Sequence, residues 1–142
     1  MKAGLRETNR ALVSALELEF ESTLSTLVVL ASSATLDTGD LAGFHRVLAR
    51  ALATRPDWKT ITLHDPSGKE LIDLLGSPEH QEARNIKESG FQEVLRTRKP
   101  TPVDYYTEPW IGAMVGARVP VLRAGKVKYV LTAGIEPALF RN

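Results

Sequence analysis

Apolar residues recur at every third or fourth position through the first part of the chain: Leu12, Leu16, Phe20, Leu24, Leu27 and Ala31. At about 100° per residue they share one stripe roughly 120° wide. Val13, Val28 and Leu30 widen that stripe, and Leu18 lies off it. No proline or glycine interrupts Leu5 to Leu36, so the spacing predicts one long helix there. With a rise of ~1.5 Å per residue, about 30 residues span ~45 Å. That exceeds the diameter expected for the rest of the chain, so part of the helix is expected to protrude and meet a partner or a membrane. Asp37-Thr38-Gly39-Asp40 ends the pattern. Gly39 suits a helix end and Asp40 suits the N-cap of a second helix. That second helix is predicted over Leu41 to Thr54, with Leu41, Phe44, Leu48, Ala51 and Leu52 as its apolar face, and Pro56 stops it.

The period then changes from three-and-a-half to two. Ile61 and Leu63 alternate with Thr60, Thr62 and His64, the pattern of a half-buried strand. Asp65-Pro66-Ser67-Gly68 is turn chemistry, and Glu70 to Leu75 reads as the return strand. Glu79 to Glu88 is polar, a loop or a frayed helix. Ser89 caps a short helix over about Gly90 to Thr97, with Phe91, Val94 and Leu95 facing inward. Lys99-Pro100-Thr101-Pro102 stops it. Val103 to Thr107 is a short third strand, and Ala113 to Leu122 and Val127 to Ile135 form a final pair joined around Ala124-Gly125. Pro120 inside a strand calls for an edge or a bulge. The sum is an α+β arrangement: a long N-terminal helix and a second helix packed on a five-stranded antiparallel sheet.

Composition narrows the function. The chain has 142 residues, enough for one domain with a real core, and 43% of them are hydrophobic. A net charge of +1 gives no field to attract nucleic acid or acidic lipid. The small basic cluster Arg96, Arg98 and Lys99 reads as cations at a helix C-terminus. There is no cysteine, which removes thiol chemistry and thiolate metal sites. His45, His64 and His80 are not paired at a ligand spacing, so no metal and no other cofactor is expected. Nucleophile elbows, P-loops and dinucleotide fingerprints are missing from the sequence, so no catalytic residue is assigned.

The strands carry the functional signal. Ile61 and Leu63 turn to the helices, which sends Thr60, Thr62 and His64 to the other face. On the fourth strand Met114, Gly116 and Arg118 oppose Val115, Ala117 and Val119. On the fifth, Val130, Thr132 and Gly134 oppose Tyr129, Leu131, Ala133 and Ile135. One face is apolar. The other, of threonines, glycines, a histidine and an arginine, is either solvated or the floor of a ligand pocket under the long connection from Pro78 to Lys99. The ligand-binding candidates are Thr62, His64, Tyr105, Tyr106, Arg118 and Thr132, with Arg84 on the lid in a lesser part. Arg118 would pair with an anionic group.

The order of these motifs resembles a known family. A long helix is followed by Leu36-Asp37-Thr38-Gly39-Asp40-Leu41, Phe44-His45, Arg55-Pro56-Asp57-Trp58, Leu63-His64-Asp65-Pro66-Ser67-Gly68, and Val119-Pro120-Val121-Leu122-Arg123-Ala124-Gly125-Lys126-Val127. Together they look like a Cache-type, PAS-like extracytoplasmic sensor domain, of the kind that precedes histidine kinase or diguanylate cyclase modules. The resemblance covers nearly the whole chain. It implies one sensor domain over residues 1–142, with a signalling and dimerisation helix to residue 36 and a sensor core over 37–142 whose lid spans about 78–99. It implies a periplasmic segment between two transmembrane helices that this sequence does not include. It implies that a small molecule, an organic acid or an amino acid, is bound and reported to a cytoplasmic output module, and that two copies pair through the long helix. The charged segment after Gly76-Ser77-Pro78 departs from the family's glycine- and proline-rich connection, and no binding residue follows from a family signature. The competing expectations are a PAS-like module that dimerises without a ligand, and an enzyme whose site is assembled only in space.

Overall fold

The computed structural model describes residues 2–74, 89–104 and 115–135. Helix α1 spans Lys2–Ala31, α2 Ala34–Asp37 and α3 Leu41–Ala53. Strands β1 (Trp58–His64) and β2 (Glu70–Leu74) form a hairpin. Helix α4 (Ser89–Thr97) precedes β3 (Thr101–Asp104), β4 (Val115–Arg123) and β5 (Lys126–Ile135). The strands make one five-stranded antiparallel sheet in the order β2-β1-β5-β4-β3. The expected α+β architecture is present.

The first helix ends earlier than its periodicity predicts. Helix geometry stops at Ala31, and a separate turn of helix follows at Ala34–Asp37. Two serines cause the break. Ser32 donates its hydroxyl back to the Val29 carbonyl at 2.6 Å, and Ser33 accepts the Thr35 N–H as an N-cap. Short hydroxyl side chains compete for backbone groups in this way, and a pattern of apolar spacing does not register it. Asp40 does cap α3, accepting the Gly43 N–H at 2.9 Å.

The core lies between α1, α3 and one face of the sheet. Leu27, Leu30 and Ala31 of α1 and Phe44 and Leu48 of α3 meet Ile61, Leu63, Val119, Leu131, Ala133 and Ile135. Among the described side chains it is the second half of α1 that takes part. Among its described side chains before Glu19, Arg10, Ala11, Ser14, Glu17 and Leu18 are all exposed. Arg55 fastens this half to β1. It donates to the hydroxyls of Thr26 at 2.9 Å and Thr23 at 3.4 Å, pairs with Asp57 at 3.3 Å, and covers the Trp58 ring at 5.1 Å.

The last turn of α1 carries no basic residue of its own. Its terminal carbonyls and dipole are met from the other end of the sequence. Arg123 donates to the carbonyls of Ala31 at 2.9 Å and Ser33 at 3.2 Å and pairs with Asp37. Lys128 donates to the carbonyls of Leu36 at 2.7 Å and Asp37 at 2.9 Å.

Two turns show why local sequence sets the strand register. Asp65 Oδ1 accepts the Ser67 N–H at 2.9 Å, the Ser67 hydroxyl at 2.5 Å and the Lys69 N–H at 3.0 Å, and Gly68 follows at φ 92°. The β4–β5 turn has Ala124 at φ 53° and Gly125 at φ 77°, the paired positive values of a two-residue hairpin. Pro120 does not sit on an edge strand, since β4 lies between β5 and β3. It stands beyond Arg118, the position opposite Thr101 at the start of β3, so that flank of β4 needs no N–H there. Strand β3 starts two residues before its expected Val103, and the predicted end at Thr107 lies outside the described residues.

Ala124 is strained where glycine would not be, at roughly 1–2 kcal/mol. Glycine gives back part of that gain by loosening the unfolded chain. Ala124→Gly should therefore raise stability by about 0.5–1 kcal/mol, read as a higher urea midpoint at an unchanged slope.

Asp65 predicts an acid limb. Its partial burial, the largest single influence, raises the carboxyl pKa, but hydrogen bonds from the Ser67 hydroxyl and the Lys69 and Ser67 N–H groups, with the Lys69 charge, hold it below its ordinary value. A folded-state value below the unfolded one means the carboxylate stabilises the fold above the unfolded value. That contribution is lost as pH falls below about 4. Asp65→Asn should flatten this part of the stability-against-pH curve and lower stability at pH 7.

Candidate functional site

Strand alternation brings the second face of the sheet together residue by residue. Across the five strands one row in register reads Asp73, Thr62, Thr132, Arg118, Thr101. Directly opposed residues of antiparallel strands point to the same face, so all five share it. The next row holds Glu70, His64, Val130 and Pro120, and on the other side lie Thr60, Gly134 and Gly116. Thr62, His64, Arg118 and Thr132 therefore lie together, as the sequence predicts. Tyr105, Tyr106 and Arg84 lie outside the described residues, as does the lid before Ser89.

This face is covered, not solvated. His64 is 1% exposed, and Arg118 and Thr132 are each 3% exposed. Buried glycines Gly116 and Gly134 face each other beside them. Part of the cover is α4. Its Phe91 and Val94 are fully buried and form a small apolar cluster with Val130, separate from the main core. The expected inward face of α4 is thus correct, and it packs on the polar side of the sheet.

Phe91 is the hub of this arrangement. Its ring meets the His64 ring edge-on, with centroids 6.0 Å apart, and lies 5.8 Å from the guanidinium carbon of Arg118. Aromatic edges and faces suit an imidazole and a cation respectively. Arg118 Nε also donates to the Thr132 hydroxyl at 3.3 Å, which draws the guanidinium over β5. A buried guanidinium costs several kcal/mol in desolvation and needs polar company. The hydroxyl and the aromatic ring supply part of it.

Two contributors escape sequence reasoning. Thr101 reads as part of a Pro-rich helix stop, yet it opens β3 and stands opposite Arg118, its Oγ1 buried without a hydrogen-bond partner. Asp73 reads as a polar residue in a return strand; only the pairing with Thr62 puts it in the row. The proline on each side of Thr101 hides the first, and the second requires the register. Among the described residues no three His, Asp or Glu side chains are grouped to hold a metal ion.

Neighbouring strands hold a buried cation, hydroxyls and an imidazole here, beside two glycines that place no side chain on this face. The described residues show no nucleophile held by a base.

No family model matches the chain, and no curated protein does. Solved structures do match. A domain of a protein described as of the sensory box/GGDEF family, from Vibrio parahaemolyticus, superposes with a TM-score of 0.65 at 12% identity. The likeness is one of fold. It covers 94% of this chain and 59% of that one, so this chain spans well under two thirds of the neighbour's length. The chain thus shares that domain's fold, PAS-like, with helices and a five-stranded antiparallel sheet.

The packing of α4 can be tested directly. Phe91→Ala should destabilise the protein by about 3–5 kcal/mol, measured by chemical denaturation, and Phe91→Leu should recover most of the loss. A cost near that of a surface substitution would mean that α4 does not pack on this face.

Proposed function

We propose that this chain is the ligand-sensing domain of a transmembrane signalling receptor, of the Cache type and extracytoplasmic. It binds a small anionic molecule, an organic acid or an amino acid, between the polar face of the sheet and the α4 cover. It reports occupancy to an output module such as a histidine kinase or diguanylate cyclase. The observation that carries this reading is Arg118: a cation buried to 3% exposure, in register with hydroxyls on both sides and capped by an aromatic ring. A fixed, water-poor guanidinium is the side chain best suited to hold a carboxylate. Thr62, Thr132 and His64 would orient the rest of the ligand.

The fold likeness to a sensory-box domain supports the sensing role. Among the described residues no helix is long and apolar enough to cross a membrane. Leu18, Val28 and Val29 of α1 are 68%, 52% and 70% exposed, which supports pairing of two copies along this helix.

Acetate, pyruvate, succinate, citrate, alanine and glutamate form a suitable thermal-shift panel. A compound at 100 times its dissociation constant should add ~2.7 kcal/mol of stability. Arg118→Ala should abolish the shift given by any carboxylate that binds. If the variant folds and binds that carboxylate as tightly as the parent, Arg118 is not the anion partner. If nothing on a broad panel shifts the melting temperature, the PAS-like dimerisation module without a ligand becomes the better reading.

A further inference from the structure

We propose that the β4–β5 hairpin is the element through which this site governs the signalling helix, and that Arg123 and Lys128 are the residues that pass the change on. The inference rests on the sensor reading for its purpose, but its physical basis is independent of any ligand.

One pair of strands carries both ends of the connection. Arg118 and Arg123 are on β4, five positions apart, which is about 17 Å along the strand. Thr132 and Lys128 are on β5, four positions apart, or about 13 Å. Arg118 and Thr132 face the site, joined to each other by a hydrogen bond. Arg123 and Lys128 reach the α1–α2 junction with four hydrogen bonds to backbone carbonyls and an ion pair to Asp37. Neither α1 nor α2 has a basic residue in its own last turn. Both helix ends are therefore satisfied in trans by the hairpin. Carbonyls at a helix end need donors from elsewhere, so the junction follows the hairpin or loses those bonds.

The middle of this path is close-packed as far as the shift in β4–β5 register between Val121 and Leu122. From Tyr129 to Ile135 every residue of β5 is buried, and Val119 and Val121 of β4 are buried beside it. A close-packed interior passes a displacement on and does not absorb it. A shift of Arg118 and Thr132 toward a bound anion thus acts on β4 and β5 as a unit. The end of that unit is the clamp on α1. A separate polar fastening of α1, besides the packing of its apolar side chains on β4 and β5, runs from Arg55 before β1 to Thr23 and Thr26. It can serve as a pivot while the α1–α2 junction moves.

Amide hydrogen exchange on the full chain tests this without a known ligand, and its cysteine-free sequence keeps thiol chemistry out of the measurement. Thr132→Val keeps the shape of the side chain and removes the hydroxyl that receives Arg118. It should change the exchange of amides in residues 29–38 by about 5-fold or more. Arg123→Gln with Lys128→Met should raise exchange there on its own, and adding Thr132→Val to that pair should then change nothing further. Amides in the Asp65–Lys69 turn serve as the unaffected reference. Should Thr132→Val fail to fold, Arg118→Lys is the second perturbation of the site.

The proposal is overturned if the site variant alters amides in β4, β5 and α4 while residues 29–38 keep parental exchange. It is equally overturned if the change at 29–38 persists at full size once the hairpin bonds are cut. These outcomes are separate from the thermal-shift panel. Coupling in the exchange data with no binder on the panel would sink the sensor reading and leave the clamp, and a binder on the panel without coupling in the exchange data would do the reverse.

Discussion

A strand buried on both faces has no side for water, and β5 is such a strand. Tyr129, Leu131, Ala133 and Ile135 lie in the main core, while Val130, Thr132 and Gly134 lie under cover on the opposite side. The rest of the molecule follows from that constraint. Its central place between β1 and β4 fixes their registers, because a slip of one residue would exchange an apolar face for a polar one. The helices α1 and α3 can then pack on only one side. The polar side has to be closed by something else, and among the described residues that cover includes α4.

The two faces carry different kinds of energy. On the helix side, burial of leucine, isoleucine and phenylalanine stabilises the fold at roughly 1.5–3 kcal/mol for each side chain. On the other side a buried guanidinium and an imidazole add little or nothing to stability. Holding such groups out of water is a cost that the apolar face must outweigh. The separation also frees the polar face to change without loss of the core.

Alternation made much of this legible in advance. Period two assigned Thr62, His64, Arg118 and Thr132 to one face, and the structure places them together. The helix capped by Asp40 and the Asp65 turn were legible for a related reason, since both depend on hydrogen bonds that span at most four residues. What the sequence hid is long-range or competing. Thr101 looked like a helix stop because prolines flank it. Asp73 needed the β1–β2 register. The break after Ala31 came from two serine hydroxyls acting against an unbroken apolar stripe. Arg123 and Lys128 carry no local signal of their role, since their partners lie far away along the chain. Tyr105 and Tyr106 fall outside the described residues, and the predicted lid is described only from Ser89 onward.

The clamp at the end of α1 has a consequence for the order in which this protein is made. Arg123 and the Ala31 carbonyl it holds are 92 residues apart in sequence. At about 5–20 residues per second, a ribosome needs roughly 5–20 s to supply the second after the first. During that interval Leu24, Leu27 and Leu30 have neither the sheet to cover them nor the cations that finish their helix. The nascent helix must therefore wait, frayed at one end and apolar along one side, until almost the last strand has emerged. Its dependence on so distant a hairpin means that it is synthesised before the sheet and completed only with the sheet's last strands.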